Sequence, residues 1–255
     1  MVRMRDISHA PAQPMDDNLR RRSPPAADDR PLLLGNGGEL TVEWLGRLTY
    51  QPTWDLQNAL ADRRRRREIG DRLLMLEHDP VYTIGRGGND RNLLATPERL
   101  TALGAELVRI DRGGDITFHG PGQLVAYPIV ELRDPLDLRR YVRTLEEAII
   151  AIAGAFGVGA SRVEGLPGVW VDGVRKLAAV GVRVKRGVTT HGLALNVSTD
   201  LAWFDEMIPC GIPGCAVTSL ERELGQDVSL RTVAGRLASE LANGFGLRLV
   251  EHPDA

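Results

Sequence analysis

Apolar and polar positions along this chain fall into periods that sort it into elements. After Glu39, LTVEWLGRLTY alternates with the period of two expected of a half-buried strand. Residues 53–76 carry Trp54, Leu60, Ile69 and Leu73 at helical spacings around five consecutive arginines, residues 63–67, and read as one helix. HDPVYTIGRGGN reads as a strand entering a glycine-rich turn. Residues 137–156 place Leu138, Tyr141, Val142, Leu145, Ile149, Ile152 and Phe156 on an i, i+3, i+4, i+7 stripe, which predicts an amphipathic helix. VRIDRGGDITFH, GQLVAYPIVEL, GVWV, VRKLAAVGVRV and VTTHGLALNV are strand-like, and Asp172-Gly173 between two of them is a hairpin signal. Leu230, Val233, Ala234, Leu237 and Leu241 give a last helix. Helices flanking a series of hairpin-linked strands predict an α+β (α/β) single domain around a mixed sheet, rather than alternating βαβ units.

The first 38 residues hold Pro-Pro, Asp-Asp and arginine-rich runs with no apolar period before Leu32, and are expected to be a disordered extension. One domain is expected over residues 39–250, with a tail at 251–255.

Composition narrows the function classes. With 43% hydrophobic and 26% charged residues, collagen-like, coiled-coil and fully disordered classes drop out. Thirty-four acidic against 32 basic residues, a net charge of −2, argue against a dedicated nucleic-acid binder, whose affinity would come from phosphate neutralisation. No apolar run approaches the roughly 18 residues of a membrane span, and the N-terminus lacks an apolar signal core, so the expected setting is cytoplasmic with no membrane partner. The arginine run reads as a solvated helix face, with docking of an acidic partner as the functional alternative.

Two cysteines, Cys210 and Cys215, are too few for a disulfide framework in a chain this size and are expected as free thiols. Only Lys176 and Lys185 among the 32 basic residues are lysines. A lysine amine can shed its proton and act as a base, whereas a guanidinium stays charged.

Two segments carry candidate chemistry. Arg112-Gly-Gly-Asp-Ile-Thr-Phe-His-Gly-Pro-Gly-Gln123 packs four glycines and a proline into twelve residues, implying tight turns or a ligand brought against bare backbone. His119 within it reads either as a surface loop residue or as an acid, base or donor. In Pro209-Cys210-Gly211 the flanking residues place Cys210 on a loop, where scaffold-held nucleophiles tend to sit. A free thiol titrates near 8.5 and needs a neighbouring cation to be thiolate at neutral pH, a role open to Lys176. Cys215 reads as a small apolar packing residue. Metal binding by Cys210, Cys215, His119 and His191 lacks a zinc-like pair, and neither a nucleophile elbow nor a phosphate loop is present. The residues by themselves lead to a cysteine-centred acyl-transfer enzyme.

RGGDITFHGPGQLVAYPIVEL, followed by RKLAAVGVRV, THGLALNV and PCGI with VTSL just after, resembles the lipoyl(octanoyl) transferases from about Glu39 to the last helix. The resemblance implies a fold shared with lipoate-protein ligases and the biotin protein ligase catalytic domain. It implies transfer of octanoyl from acyl carrier protein, through an enzyme thioester, to one lysine of the lipoyl domains of 2-oxoacid dehydrogenase E2 subunits and of the glycine cleavage H protein, without cofactor or metal. The family's nucleophile falls on Cys210 and its lysine on Lys176. Its substrate contacts fall on Arg112, Gly113, Gly114, Asp115, Ile116, Thr117, Phe118 and His119, on Ala179, Val180 and Gly181, and on Gly192, Leu193 and Ala194. Ala179 stands where the family often has serine. Leu177, Val180 and Leu193 are expected in the acyl wall, and the Gly211 N–H is a candidate oxyanion donor. The rival readings are an ATP-dependent lipoate-protein ligase, a catalytically silent binding protein, and a cysteine protease with His119 or His191 as base.

Overall fold

The computed structural model describes Leu32, Leu34, residues 38–133 and residues 138–251. The expected N-terminal extension and C-terminal tail lie almost wholly outside the described residues. In chain order the elements are β1 (Glu39–Leu48), α1 (Tyr50–Arg65), β2 (Asp71–His78), β3 (Val81–Ile84), α2 (Pro97–Leu103), β4 (Glu106–Arg109), β5 (Ile116–His119) and β6 (Gln123–Ile129). There follow α3 (Leu138–Ala155), β7 (Ala160–Val163), β8 (Leu166–Val171), β9 (Arg175–Lys185), β10 (Val188–Asn196), β11 (Ala216–Val217), α4 (Leu220–Leu224), α5 (Leu230–Phe245) and β12 (Arg248–Glu251).

The main sheet runs β12-β1-β2-β6-β10-β9-β8-β7, with β11 added to β9. It is mixed: β12, β1 and β2 are mutually parallel, as are β11 and β9, while the other pairs are antiparallel. A small second sheet, β4-β3-β5, carries the glycine-rich segment. The stripes of α3 and α5 bury Tyr141, Leu145, Ile149, Val233, Leu237 and Leu241 against Leu73, Met75, Leu124 and Leu195 of the sheet. On the opposite face α1 places Leu60 and Ala61 over Leu74, Leu76, Val125 and Ile129.

That double coverage explains where the sequence reading of residues 53–76 fails. The helix stops at Arg65, and Leu73 belongs to β2. A strand covered on both faces is apolar at consecutive positions, so its period of two disappears and it mimics buried helix. Arg67, with φ 60°, turns the chain out of the helix. The hairpin at Asp172-Gly173 is present, with φ 51° and 70°, and joins β8 to β9. A second one at Arg186-Gly187, φ 51° and 82°, joins β9 to β10. Its sequence lacks an Asn or Asp before the glycine, which is why it is silent to inspection.

The arginine run is largely neutralised by this chain itself. Arg64 bonds Asp71 at 2.6 Å and Glu131 at 2.8 Å, tying the end of α1 to β2 and to the segment after β6. Arg63 and Arg66 pair with Glu68, and Arg65 with Asp62. With four of the five cations so engaged, the solvated-face reading fits better than a docking surface.

At Gly192 a Cβ would overlap the Ala126 carbonyl oxygen and approach Pro128 Cδ to 2.8 Å, so β10 needs a glycine to lie this close to β6. Gly192→Ala is expected to destabilise the fold by about 1–3 kcal/mol, read as a lowered midpoint in thermal or urea unfolding. An unchanged midpoint would show that the strands separate freely there.

Candidate active site

The site forms where β9 changes partners. From Ala178 onward β9 pairs with β10, but at Arg175 and Lys176 its neighbour is β11. On its other side the register with β8 slips between Val169 and Trp170, so that Leu177 is the extra residue of a bulge. Bulges bend a strand and re-aim a side chain, and here the residue beside the bulge is Lys176. The residue is 6% exposed, and Nζ hydrogen-bonds Cys210 Sγ and the Pro167 carbonyl, each at 2.9 Å. The ammonium also lies 5.0 Å from the centroid of the Trp170 ring, a cation–π contact. Thirty-four residues of sequence separate the amine from the thiol it touches.

Cys210 sits in a short 3-10 turn, Pro209–Gly211, with φ 56° and ψ 17°. A left-handed non-glycine residue costs about 1–2 kcal/mol, and the surroundings hold it there. Gly211 lies so close to Asp115 that any side chain would strike the carboxylate. Asp115 accepts from Asn92 Nδ2 at 2.6 Å and from the backbone N–H groups of Asn89 and Ile116, which ties the loop after β3 to the cysteine turn. The Gly211 N–H donates to the Ile208 carbonyl at 3.0 Å, so the expected oxyanion donor is engaged in holding the turn. Cys215, half-buried, has its thiol pushed up to about 11 by burial, in keeping with a packing role.

A cavity of about 420 Å³ opens beside the pair. Of the residues anticipated from sequence it is lined by Arg112, Gly113, Gly114, Asp115, Ile116, Thr117 and His119, by Ala179, Val180 and Gly181, and by Gly192, Leu193 and Ala194. Leu138, Val142, Leu166, Val182 and Ile212 add apolar wall. The Gly113 N–H donates to Val182 O at 3.0 Å, so the glycine-rich loop docks on the β9 edge, and Gly181 leaves room for Arg112 to lie across it. Two expectations are corrected. Phe118 points away from the cavity and stacks on Trp203 at 5.0 Å, because alternation along β5 sends it into the core of the small sheet. Leu177, displaced by the bulge, is fully buried in the main core and lines no wall of the cavity.

Residues 49–242 match the family model described as the lipoyl protein ligase A/B catalytic domain. An octanoyltransferase of Chloroflexus aurantiacus is 49% identical over 211 residues, 82% of this chain and 95% of the relative. One from Corynebacterium efficiens is 45% identical over 246 residues, 94% and 90% of the two chains. The chain belongs to the octanoyltransferase family. It is an acyltransferase, and its reaction is octanoyl transfer in protein lipoylation. Among solved structures, a bipartite lipoate protein ligase from Thermoplasma acidophilum superposes with a TM-score of 0.64 at 18% identity, covering 85% of this chain and 86% of that one, which establishes a shared fold.

Part of this octanoyltransferase cavity is polar. Tyr50, Tyr127, His119 and His191 line it, and none of them but His119 was singled out as a cavity contact from sequence. His78 Nδ1 donates to the Leu48 carbonyl at 3.0 Å, leaving Nε2 to accept from Tyr127 OH at 2.8 Å. This pairing requires a neutral ring, and burial holds His78 down at about 4. Burial drives His119 well below its ordinary value; its Nδ1 donates to Gln123 Oε1 at 2.8 Å, and Gln123 Nε2 bonds Asn196. His191 is likewise lowered by burial and bonds Asp111 through Nε2 at 2.9 Å. The thiol's hydrogen-bond partner is thus a lysine, while both histidines of the protease reading are engaged elsewhere. Among the described residues no group of three or more His, Cys, Asp or Glu side chains is arranged to hold a metal, and no helix is long and apolar enough to cross a membrane.

A folded-state value below the unfolded one means that His78 favours the fold fully above pH ~6.5 and that this contribution is lost as pH falls toward ~4. Urea unfolding should therefore show stability dropping between neutral pH and pH ~4.5, with about 2 kcal/mol of the drop absent from His78→Gln. Parallel pH dependence in wild type and variant would place the titrating group elsewhere.

Proposed function

We propose that the chain takes octanoyl from acyl carrier protein onto Cys210 as a thioester and passes it to a lysine of a lipoyl domain, in E2 subunits of 2-oxoacid dehydrogenases or in the H protein. The observation that carries this reading is the 2.9 Å contact between Lys176 Nζ and Cys210 Sγ beside a cavity with apolar walls. An octanoyl tail buried there is worth about 0.8 kcal/mol per methylene, roughly 5 kcal/mol in all.

In the first step the Cys210 thiolate attacks the donor carbonyl, the new C–S bond forms, and the carrier's sulfur leaves with a proton from the Lys176 ammonium. One thioester replaces another, so the exchange is nearly balanced and calls for no ATP. The second step is harder, because an ordinary lysine near 10.4 is neutral in only about one molecule in 2,500 at pH 7. The acceptor ammonium gives one proton to solvent, and as the resulting amine attacks the Cys210 thioester the now neutral Lys176 takes the second while the Cys210 thiolate departs. The amide forms, the C–S bond breaks, and the thiolate–ammonium pair is restored. One lysine serves as acid and then as base, which a permanently charged arginine cannot do.

Intact-protein mass after mixing with octanoyl-acyl carrier protein tests the intermediate. Wild type and Cys215→Ser are expected to gain one hydroxylamine-labile octanoyl group and Cys210→Ser none. No adduct on any of them, together with octanoylation of a lipoyl domain from ATP and free octanoate, would replace this reading with the ligase. For the lysine, Lys176→Arg keeps the charge and is expected to lose about 100-fold or more of the transfer rate; wild-type turnover would remove the acid–base role.

A further inference from the structure

The Lys176 amine is held from a second direction that the chemistry above does not use. Its Nζ donates to the carbonyl of Pro167 at 2.9 Å. The N–H at the other end of that same peptide, Gly168 N, donates to Glu146 Oε1 at 2.8 Å. A single peptide plane is therefore pinned between a carboxylate and the catalytic amine. Glu146 is only 6% exposed and continues the α3 stripe that places Leu138 and Val142 on the cavity, each four residues apart. Its second oxygen accepts from Arg162 Nε at 3.1 Å.

The peptide is built for this contact. Gly168 has φ 109°, and a Cβ there would overlap the Ala178 carbonyl oxygen and come within 2.9 Å of Lys176 Cε. The β8–β9 register slip lies immediately beyond it. A neutral acceptor would satisfy the Gly168 N–H equally well. A carboxylate adds polarisation: a charged acceptor on the N–H enriches the carbonyl oxygen and strengthens the next hydrogen bond in the chain.

We propose that Glu146 is a positioning residue of the catalytic pair, aiming and polarising the Pro167–Gly168 peptide so that its carbonyl holds the Lys176 amine against Cys210. The inference rests on the catalytic reading of Cys210 and Lys176. The charged and titratable groups involved are few. Lys176 faces Cys210 and Cys215 from the cysteine loop and Glu146 from α3, and Glu146 faces Arg162 from β7 and Lys176 from β9. Burial raises the Glu146 carboxyl, and the Gly168 N–H, Arg162 and Lys176 oppose that shift.

The test compares wild type, Glu146→Gln and Glu146→Ala by acyl-enzyme formation and steady-state transfer between roughly pH 6 and 10. Glutamine keeps an oxygen for Gly168 and removes the charge, and is expected to move the alkaline limb of the profile toward lower pH by roughly half a unit. Alanine removes the anchor, and is expected to lower kcat roughly 10- to 100-fold with KM for the carrier nearly unchanged. A glutamine profile that overlays the wild type overturns the proposal, as does an alanine variant with wild-type kcat. Should alanine fail to fold, the glutamine profile decides. Absence of an acyl group on wild-type Cys210 overturns the catalytic reading and this inference with it, whereas an acylated wild type with unmoved variants overturns the inference alone.

Discussion

A lysine amine and a cysteine thiol 2.9 Å apart, mostly withdrawn from water, form the contact on which the rest of this structure depends. Bringing them together requires a strand to end early, another to bulge, and a loop residue to adopt a left-handed backbone. Each departure lies within a few residues of the pair: β10 gives way to β11 beside Lys176, Leu177 is the bulged residue, and Cys210 has φ 56°. None of these is favourable alone. They persist because the central strands β2, β6 and β10 beside them keep an unbroken register and are packed on both faces, which holds the junction in place.

The surroundings of the amine follow the same logic. A buried ammonium has three protons to place, and here two go to Cys210 and Pro167 while the Trp170 ring faces the charge. The polar part of the cavity is managed by neutrality instead. His78, His119 and His191 are all held below their ordinary values by burial, and their ring nitrogens bond Tyr127, Gln123 and Asp111. Arg112, also deeply buried, gives its guanidinium to the Thr83 carbonyl and hydroxyl and to the Gly113 carbonyl. The cavity thus borders neutral imidazoles and phenols together with three charged groups, Arg112, Asp115 and Lys176, each of them hydrogen-bonded within the protein.

Much of the fold was legible from periodicity. The amphipathic stripes of α3 and α5 and the Asp172-Gly173 turn are local statements, and the structure repeats them. Glu146 left a trace as well, since it is an acid on the apolar side of α3, four residues after Val142, at a position where a solvated residue has no place. What periodicity obscured was any element whose pattern depends on a distant partner. Leu73 and Leu74 read as helix because both faces of β2 are covered, and β12 is too short to signal itself until it lies beside β1.

The sequence by itself determined which residue types were available: one thiol flanked by proline and glycine, two lysines in a chain of arginines, and a glycine-rich segment able to approach a ligand. Those are matters of composition and local backbone, and they lead to cysteine-centred acyl transfer without any coordinates. Only the tertiary structure decided that Lys176 rather than a histidine meets Cys210, that Phe118 leaves the cavity, and that the Gly211 N–H is already bonded. Such outcomes are set by register, bulge and strand end, which arise between segments far apart in the chain, and no local pattern carries them.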